Sequence, residues 1–177
     1  MVVNVVVAHT ADLAPATLTA VRALLDTAFD NGFGDADWDH SLGGMHAMAW
    51  DGDELVGHAA VVQRRLLHQG RALRAGYVEG VAVRADRRRR GIGAAVMAPV
   101  ERIIRGAYEL GALGSSEMGV PFYLARGWRR WQGRTWALTP NGITRTPDDD
   151  DGVYVLPVRP VELTADLTCD WRAGDVW

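Results

Sequence analysis

One compact α/β or α+β domain, spanning residues 1–177, is the fold class that the sequence predicts. Three observations lead there. With 177 residues, 48% of them hydrophobic, the chain can bury one sizeable core. Strand-like runs alternate with stretches of helical period, and no internal repeat appears. Short turns join consecutive strand runs, so sequential neighbours pair antiparallel.

Each element has its own justification. Residues 2–8 are β-branched and read as a strand. From Pro15 to Phe29, Leu18, Val21, Leu24, Leu25 and Phe29 fall on one helical stripe, with Pro15 suited to a first turn. The Gly-broken stretch NGFGDADWDHSLGG holds a short helix near Asp35 to Ser41. MHAMAW, the Asp51-Gly52 turn and ELVGHAAVVQRRLLH make a hairpin, and Gln69-Gly70 turns the chain into ALRAGYVEGVAV. Gly76 and Gly80 in that third strand predict a bulge or a close backbone approach. Residues 91–105 form a helix with Ile92, Val96, Val100 and Ile103/Ile104 on its buried face. LGALGSS is a short buried strand, VPFYLAR a short helix stopped by Gly127, and GWRRWQGRTWAL one strand with alternating tryptophans. TPNGITRTPDDDDG is a turn-rich loop and DGVYVLPV the final strand.

Composition narrows the function. A formal charge of -3 argues against a protein that wraps nucleic acid over its whole surface. All 19 basic side chains are arginine. Cys169 stands alone, and His9, His40, His46, His58 and His68 never reach metal-ligand spacing with it, so neither a disulfide nor a metal is expected. VVNVVVA lacks the marks of a secretory signal and no apolar run approaches membrane-spanning length, so a cytoplasmic protein without a membrane partner is expected. Between Arg64 and Arg105, eleven arginines face three acids, a local net of +8 in a chain whose total is -3. Such a bipolar chain suits an anion in its middle third and a cation at its ends.

The basic stretch GYVEGVAVRADRRRRGIGAAV runs from a strand through arginines into Gly-Ile-Gly at a helix start. Unpaired backbone N–H groups and the positive end of the helix dipole meet there, which favours phosphate. Gly91 and Gly93 remove side chains that would block backbone approach, while Arg88 and Arg90 supply charge-assisted contacts. The Walker lysine and the full dinucleotide fingerprint are both absent.

RRRRGIGAA, with Arg88-x-x-Gly91-x-Gly93 inside it, resembles the pyrophosphate loop of the GNAT acyltransferases, and FYLARGW resembles their second helix ending in Gly-aromatic. DWDHSLGGMHA, GYVEGVAVRAD, RTPDDDDG and CDWRAGDVW resemble the aminoglycoside 2'-N-acetyltransferases across almost the entire chain. The resemblance implies a GNAT fold, a mixed, mostly antiparallel splayed sheet flanked by helices, with acetyl-CoA between the central strand and the next. It assigns the pantetheine to the backbone of Val81, Ala82 and Val83. The pyrophosphate goes to Arg88, Arg89, Arg90, Gly91, Ile92 and Gly93. The second helix begins EMGVPFY and departs from the pattern by lacking the asparagine many GNAT proteins place there.

Attack on a thioester needs a neutral amine, so something must accept its proton. Glu79 on the central strand is the candidate base, acting directly or through a water. Tyr123, where the family carries its candidate acid, is placed to protonate the leaving thiolate. Ser115 and Ser116 lack a nucleophile elbow and Cys169 lacks a paired histidine, which favours direct transfer in a ternary complex. An aminoglycoside, or a related polycationic aminosugar, is held by acids. Asp37, Asp149, Asp175 and Trp177 with its α-carboxylate are the candidates, and the resemblance adds Glu79 and the backbone at Gly80 and Gly114. Trp38, Trp50, Trp128, Trp131, Trp136 and Trp171 read as core or cleft wall. A homodimer is ordinary for this superfamily, and antibiotic resistance is the implied role. Two rivals remain: acetyl transfer to another endogenous amine, such as a cell-wall precursor or small thiol metabolite, and a nucleic-acid module built on the arginine run.

Overall fold

A computed structural model describes residues 3–30 and 32–177. In chain order the elements are β1 (Asn4–His9), α1 (Pro15–Ala28), α2 (Asp35–His40), β2 (Met45–Asp51), β3 (Glu54–His68), β4 (Arg71–Val83), α3 (Ile92–Ala107) and β5 (Leu110–Gly114). They continue with α4 (Val120–Ala125), β6 (Arg129–Arg130), β7 (Thr135–Thr139), β8 (Gly142–Arg145), β9 (Val153–Pro157) and β10 (Leu167–Cys169). The chain divides into two compact units: one takes in the chain up to Val62 with Val78–Ile103, the other Gln63–Tyr77 with Ile104–Trp177. Strands β3 and β4 run from one into the other.

In the first unit β1 pairs antiparallel with β2, and β2 with β3. Helix α1 buries Val21, Leu24 and Leu25 in a cluster with Phe33, Met48 and Ala82. Helix α3 buries Ile92, Val96, Met97 and Val100, the face its period predicts. Gly57 admits that helix: a Cβ there would lie 2.6 Å from Ile92 Cγ2.

In the second unit the strand order is β6-β9-β5-β4-β3-β10-β7-β8. The β4–β5 and β10–β7 pairs are parallel, whereas β3–β10, β5–β9, β6–β9 and β7–β8 are antiparallel. Gln69 and Gly70 have φ of 48° and 76°, the left-handed pair that a two-residue hairpin turn requires. Both glycines flagged in the third strand have a physical reason. A Cβ on Gly76 would stand 2.7 Å from the Tyr108 ring, a close approach, and Gly80 sits at φ 55°.

Four expectations need correction. Phe29 caps α1 and is 45% exposed instead of completing the buried stripe. The single strand expected over GWRRWQGRTWAL is broken into β6 and β7, because the chain at Gly133 passes against the backbone of Ala165. A Cβ at Gly133 would lie 1.9 Å from that carbonyl, and the N–H groups of Gln132 and Gly133 donate to Leu163 O instead of a neighbouring strand. The loop after β7 contains β8, paired through its own hairpin. Beyond the expected final strand lies β10, three residues inserted between β3 and β7. The first strand is observed over Asn4–His9; Val2 of the expected strand and Asn31 of the expected loop lie outside the described residues.

Candidate active site

The arginine run divides by partner. Arg84 donates to Asp86 and Glu54, and Arg87 lies 3.1 Å from Asp51. These two hold the loop onto the β2–β3 turn. Arg88, Arg89 and Arg90 are exposed and take part in no ion pair among the described residues; Arg88 Nε donates to Val83 O at 3.3 Å. Arg89 and Gly91 adopt φ of 60° and 80°, and nothing lies within 4 Å of where a Gly91 Cβ would stand. Alternating left-handed residues before a helix start turn successive N–H groups toward one point. Three guanidinium groups without a carboxylate partner among the described residues, beside an open backbone cradle, fit the pyrophosphate of acetyl-CoA. Ile92 is 2% exposed, so its contribution is its main chain.

The same unit carries the end of β4. Glu79 and Gly80 are half-buried, as are Val81 and Val83, while Ala82 is buried. Gly80 packs tightly: a Cβ would meet Ser41 Oγ at 3.1 Å, Leu25 Cδ1 at 3.3 Å and His58 Nδ1 at 3.4 Å. Ser41 Oγ in turn donates to Asp37 O. Asp37 is partly committed, since one carboxylate oxygen accepts the Gly34 N–H at 2.8 Å and starts α2. Asp37 and Gly80, which follows Glu79 in the chain, are thus brought together around Ser41, a residue the sequence reading passed over.

In the second unit Tyr123 is buried on α4, packed edge-on against Trp128 at 6.0 Å between ring centroids. Burial pushes its phenol up to about 12, so at neutral pH it is a proton donor. Gly119 gives the ring room, since a Cβ there would come within 3.1 Å of Tyr123 Cε2.

The four consecutive aspartates have different fates. Asp150 accepts from Thr135 N at 2.9 Å and pairs with Arg145, which holds its carboxyl well below the usual range. Asp151 faces Arg130 at 3.6 Å. Asp148 is exposed. Asp149 is half-buried, and its carboxyl is raised first by burial and then by the neighbouring charge of Asp175, against a lowering hydrogen bond from Thr146. Two carboxylates this close favour a cation between or beside them.

The tail closes this cluster. Trp177 N donates to Asp175 Oδ1 at 3.3 Å, and the indole N–H donates to Thr146 Oγ1 at 3.0 Å. Arg172 donates to Asp175 O and to Trp177 O, and its guanidinium lies 5.2 Å from the Tyr77 ring centre. A Cβ on Gly114 would lie 3.6 Å from the Trp177 carbonyl group. Gly114, Asp149, Asp175 and Trp177, scattered over more than sixty positions, therefore converge. The main-chain oxygen of Trp177 has Arg172 as a cationic partner. Thr146 and Arg172, which organise the cluster, were missed; both lie inside the quoted motifs RTPDDDDG and CDWRAGDVW. Trp128 and Trp131 are core as expected, whereas Trp171 is 52% exposed.

A strand leading through arginines into a glycine cradle at a helix start suits an acyl-CoA-dependent transferase, and the acetyltransferase (GNAT) domain model matches residues 11–131. The chain belongs to the GNAT acetyltransferase family. It is 53% identical over 174 residues to an aminoglycoside 2'-N-acetyltransferase of Mycolicibacterium fortuitum, covering 96% of this chain and 89% of that protein. The fold is similar to a GNAT acetyltransferase of Brucella melitensis in complex with acetyl-CoA, with TM-score 0.62, 14% identity and 93% and 94% of the two chains covered. ElaA of Escherichia coli matches with TM-score 0.62 and 16% identity over 87% of this chain and 99% of its own. The chain spans only 33% of the length of a probable N-acyltransferase of Enterococcus faecalis, with TM-score 0.61 and 14% identity over 74% of this chain. No helix of the described residues is long and apolar enough to cross a membrane.

Proposed function

We propose that this protein transfers the acetyl group of acetyl-CoA to the 2'-amino group of aminoglycosides, in one direct step within a ternary complex. The observation that carries the reading is the 53% identity, over 96% of the chain, to a protein with that named activity. The chemistry of the residues agrees with it. Arg88 to Gly93 hold the pyrophosphate, and the backbone of Val81 to Val83 aligns the pantetheine arm. Asp149, Asp175 and the Trp177 carboxylate hold ammonium groups of the aminosugar, and Asp37 and the backbone of Gly80 and Gly114 also contact it. Glu79 accepts a proton from the 2'-ammonium, leaving a neutral amine. Its nitrogen attacks the thioester carbon, the C–N bond forms and the C–S bond breaks, Tyr123 donates its proton to the departing sulfur, and the extra proton on the new amide nitrogen returns the phenolate to its neutral form.

In this reading residues 1–177 work as one catalytic domain, because β3 and β4 are shared by both compact units. The protein is cytoplasmic and homodimeric, nucleic acid is not a partner, and acetylation of the drug confers resistance. A CoA-release assay tests the substrate, comparing aminoglycosides that differ only in an amine or a hydroxyl at the 2' position. Release with the amine alone supports the reading; equal release with both refutes it.

A further inference from the structure

Two histidines, His46 on β2 and His58 on β3, are fully buried at 0% exposure and have no part in the chemistry above. They interrupt otherwise apolar strand stretches, and a buried polar side chain persists only with its hydrogen bonds satisfied. Here they form a chain. Thr10 Oγ1 lies 2.8 Å from His46 Nε2, His46 Nδ1 lies 2.9 Å from His58 Nε2, and His58 Nδ1 lies 2.7 Å from Gly80 O. The far end is anchored too, since Gly43 N donates to Thr10 Oγ1 at 2.9 Å.

The chain has one consistent direction. A carbonyl oxygen can only accept, so His58 carries its proton on Nδ1. Burial holds both imidazoles neutral, with pKa values lowered to about 4 for His46 and about 3 for His58. Neutral His58 therefore accepts on Nε2, and His46 donates from Nδ1 and accepts on Nε2. The single Thr10 hydroxyl proton is shared between His46 Nε2 at 2.8 Å and Gly44 O at 3.2 Å.

We propose that Thr10, His46 and His58 are positioning residues: a three-member hydrogen-bond chain that fixes the peptide plane of Gly80, and with it the setting of Glu79 and Val81 on either side. Gly80 needs such a restraint. Its φ of 55° lies outside the extended range of the strand around it, and glycine has no side chain to lock that conformation. One short hydrogen bond from a fully buried imidazole supplies the lock. The peptide it fixes adjoins the proposed base and the start of the pantetheine-pairing backbone, so this inference rests on the proposed function for its catalytic consequence. Its structural content stands independently.

The test uses the full chain. His58→Phe removes the donor to Gly80, whereas His58→Asn keeps an N–H near the Nδ1 position. We expect His58→Phe to lower kcat/KM for the aminoglycoside about tenfold or more while the Kd for acetyl-CoA stays within about twofold, and His58→Asn to recover most of the loss. A residue that only fills the core gives the opposite pattern, with the isosteric aromatic tolerated and asparagine worse. Nitrogen-15 NMR of the parent should show Nδ1–H tautomers for both histidines, and the Gly80 carbonyl carbon should shift in His58→Phe but not in His58→Asn. An Nε2–H tautomer at His58, or an unmoved Gly80 resonance in folded His58→Phe, overturns the proposal. If His58→Phe does not fold, His58→Leu serves in its place, and an unmoved Gly80 carbonyl resonance in that folded variant overturns the proposal equally. If the parent leaves the 2'-amine unmodified, the substrate reading fails alone, and the NMR comparison still decides the positioning chain.

Discussion

In the proposed mechanism Tyr123 and Glu79 divide the proton traffic. A phenol pushed up to about 12 by burial keeps its proton at neutral pH and gives it only to a strong base such as a leaving thiolate. Tyr123→Phe should lower kcat roughly 10²-fold with the Kd for acetyl-CoA unchanged, read by steady-state kinetics and calorimetry. Glu79→Gln should do the same and flatten the acid limb of the pH–rate profile; a profile that overlays the parent removes Glu79 from the mechanism. At the acidic cluster, Asp175→Asn keeps an acceptor for the Trp177 N–H and removes only charge. The KM for the aminoglycoside should then rise about tenfold, about 1.4 kcal/mol, with the KM for acetyl-CoA unmoved. Loss of the Asp175 charge should also let the Asp149 carboxyl fall toward its ordinary value, visible by NMR titration.

Among elements, the loop from Arg88 to Gly93 was the most legible, because strand, arginines and glycines lie side by side in the chain. A Gly91→Asp substitution should weaken acetyl-CoA by at least about 2 kcal/mol in calorimetry. Part of that is backbone strain at φ 80°, so Gly91→Ala measures the strain and the remaining difference measures charge repulsion. Equal affinities for the parent and Gly91→Asp would remove the loop from cofactor binding. The hairpins were equally readable, since Asp51-Gly52 and Gln69-Gly70 carry their turn chemistry locally. The elements that escaped depend on distant backbone. The break at Gly133 is imposed by Ala165, and β10 is a strand because β3 and β7 leave room for three residues. No local period encodes either. The site divides in the same way. Its acids could be named from motifs, but the meeting of Asp149 with Asp175, the pairing of Arg172 with Trp177 and the histidine chain exist only after folding.

For the whole molecule, the buried histidine pair sets a pH dependence. Both imidazoles have folded-state pKa values lowered from 6.5, to about 4 and about 3, so the unfolded chain binds their protons first. Their contribution is complete above about pH 6.5 and is lost as the pH falls toward 4, at about 1.4 kcal/mol per pH unit for each histidine. Urea unfolding between pH 7 and pH 4.5 should show this decline, and His58→Asn should make it shallower. The electrostatic influence of nearby His9 adds to the lowering at His46, which extends the decline to lower pH.

The charge layout agrees with the proposed function, in which the basic middle third serves the cofactor and acids toward the ends serve a polyamine. In the proposed function these parts serve one reaction at one nitrogen. Mass spectrometry of an aminoglycoside incubated with the protein and acetyl-CoA reads that outcome. A single added acetyl group is expected, with fragment ions that place it on the 2'-amine. Acetyl on any other amine, or on none while CoA is released, would contradict it.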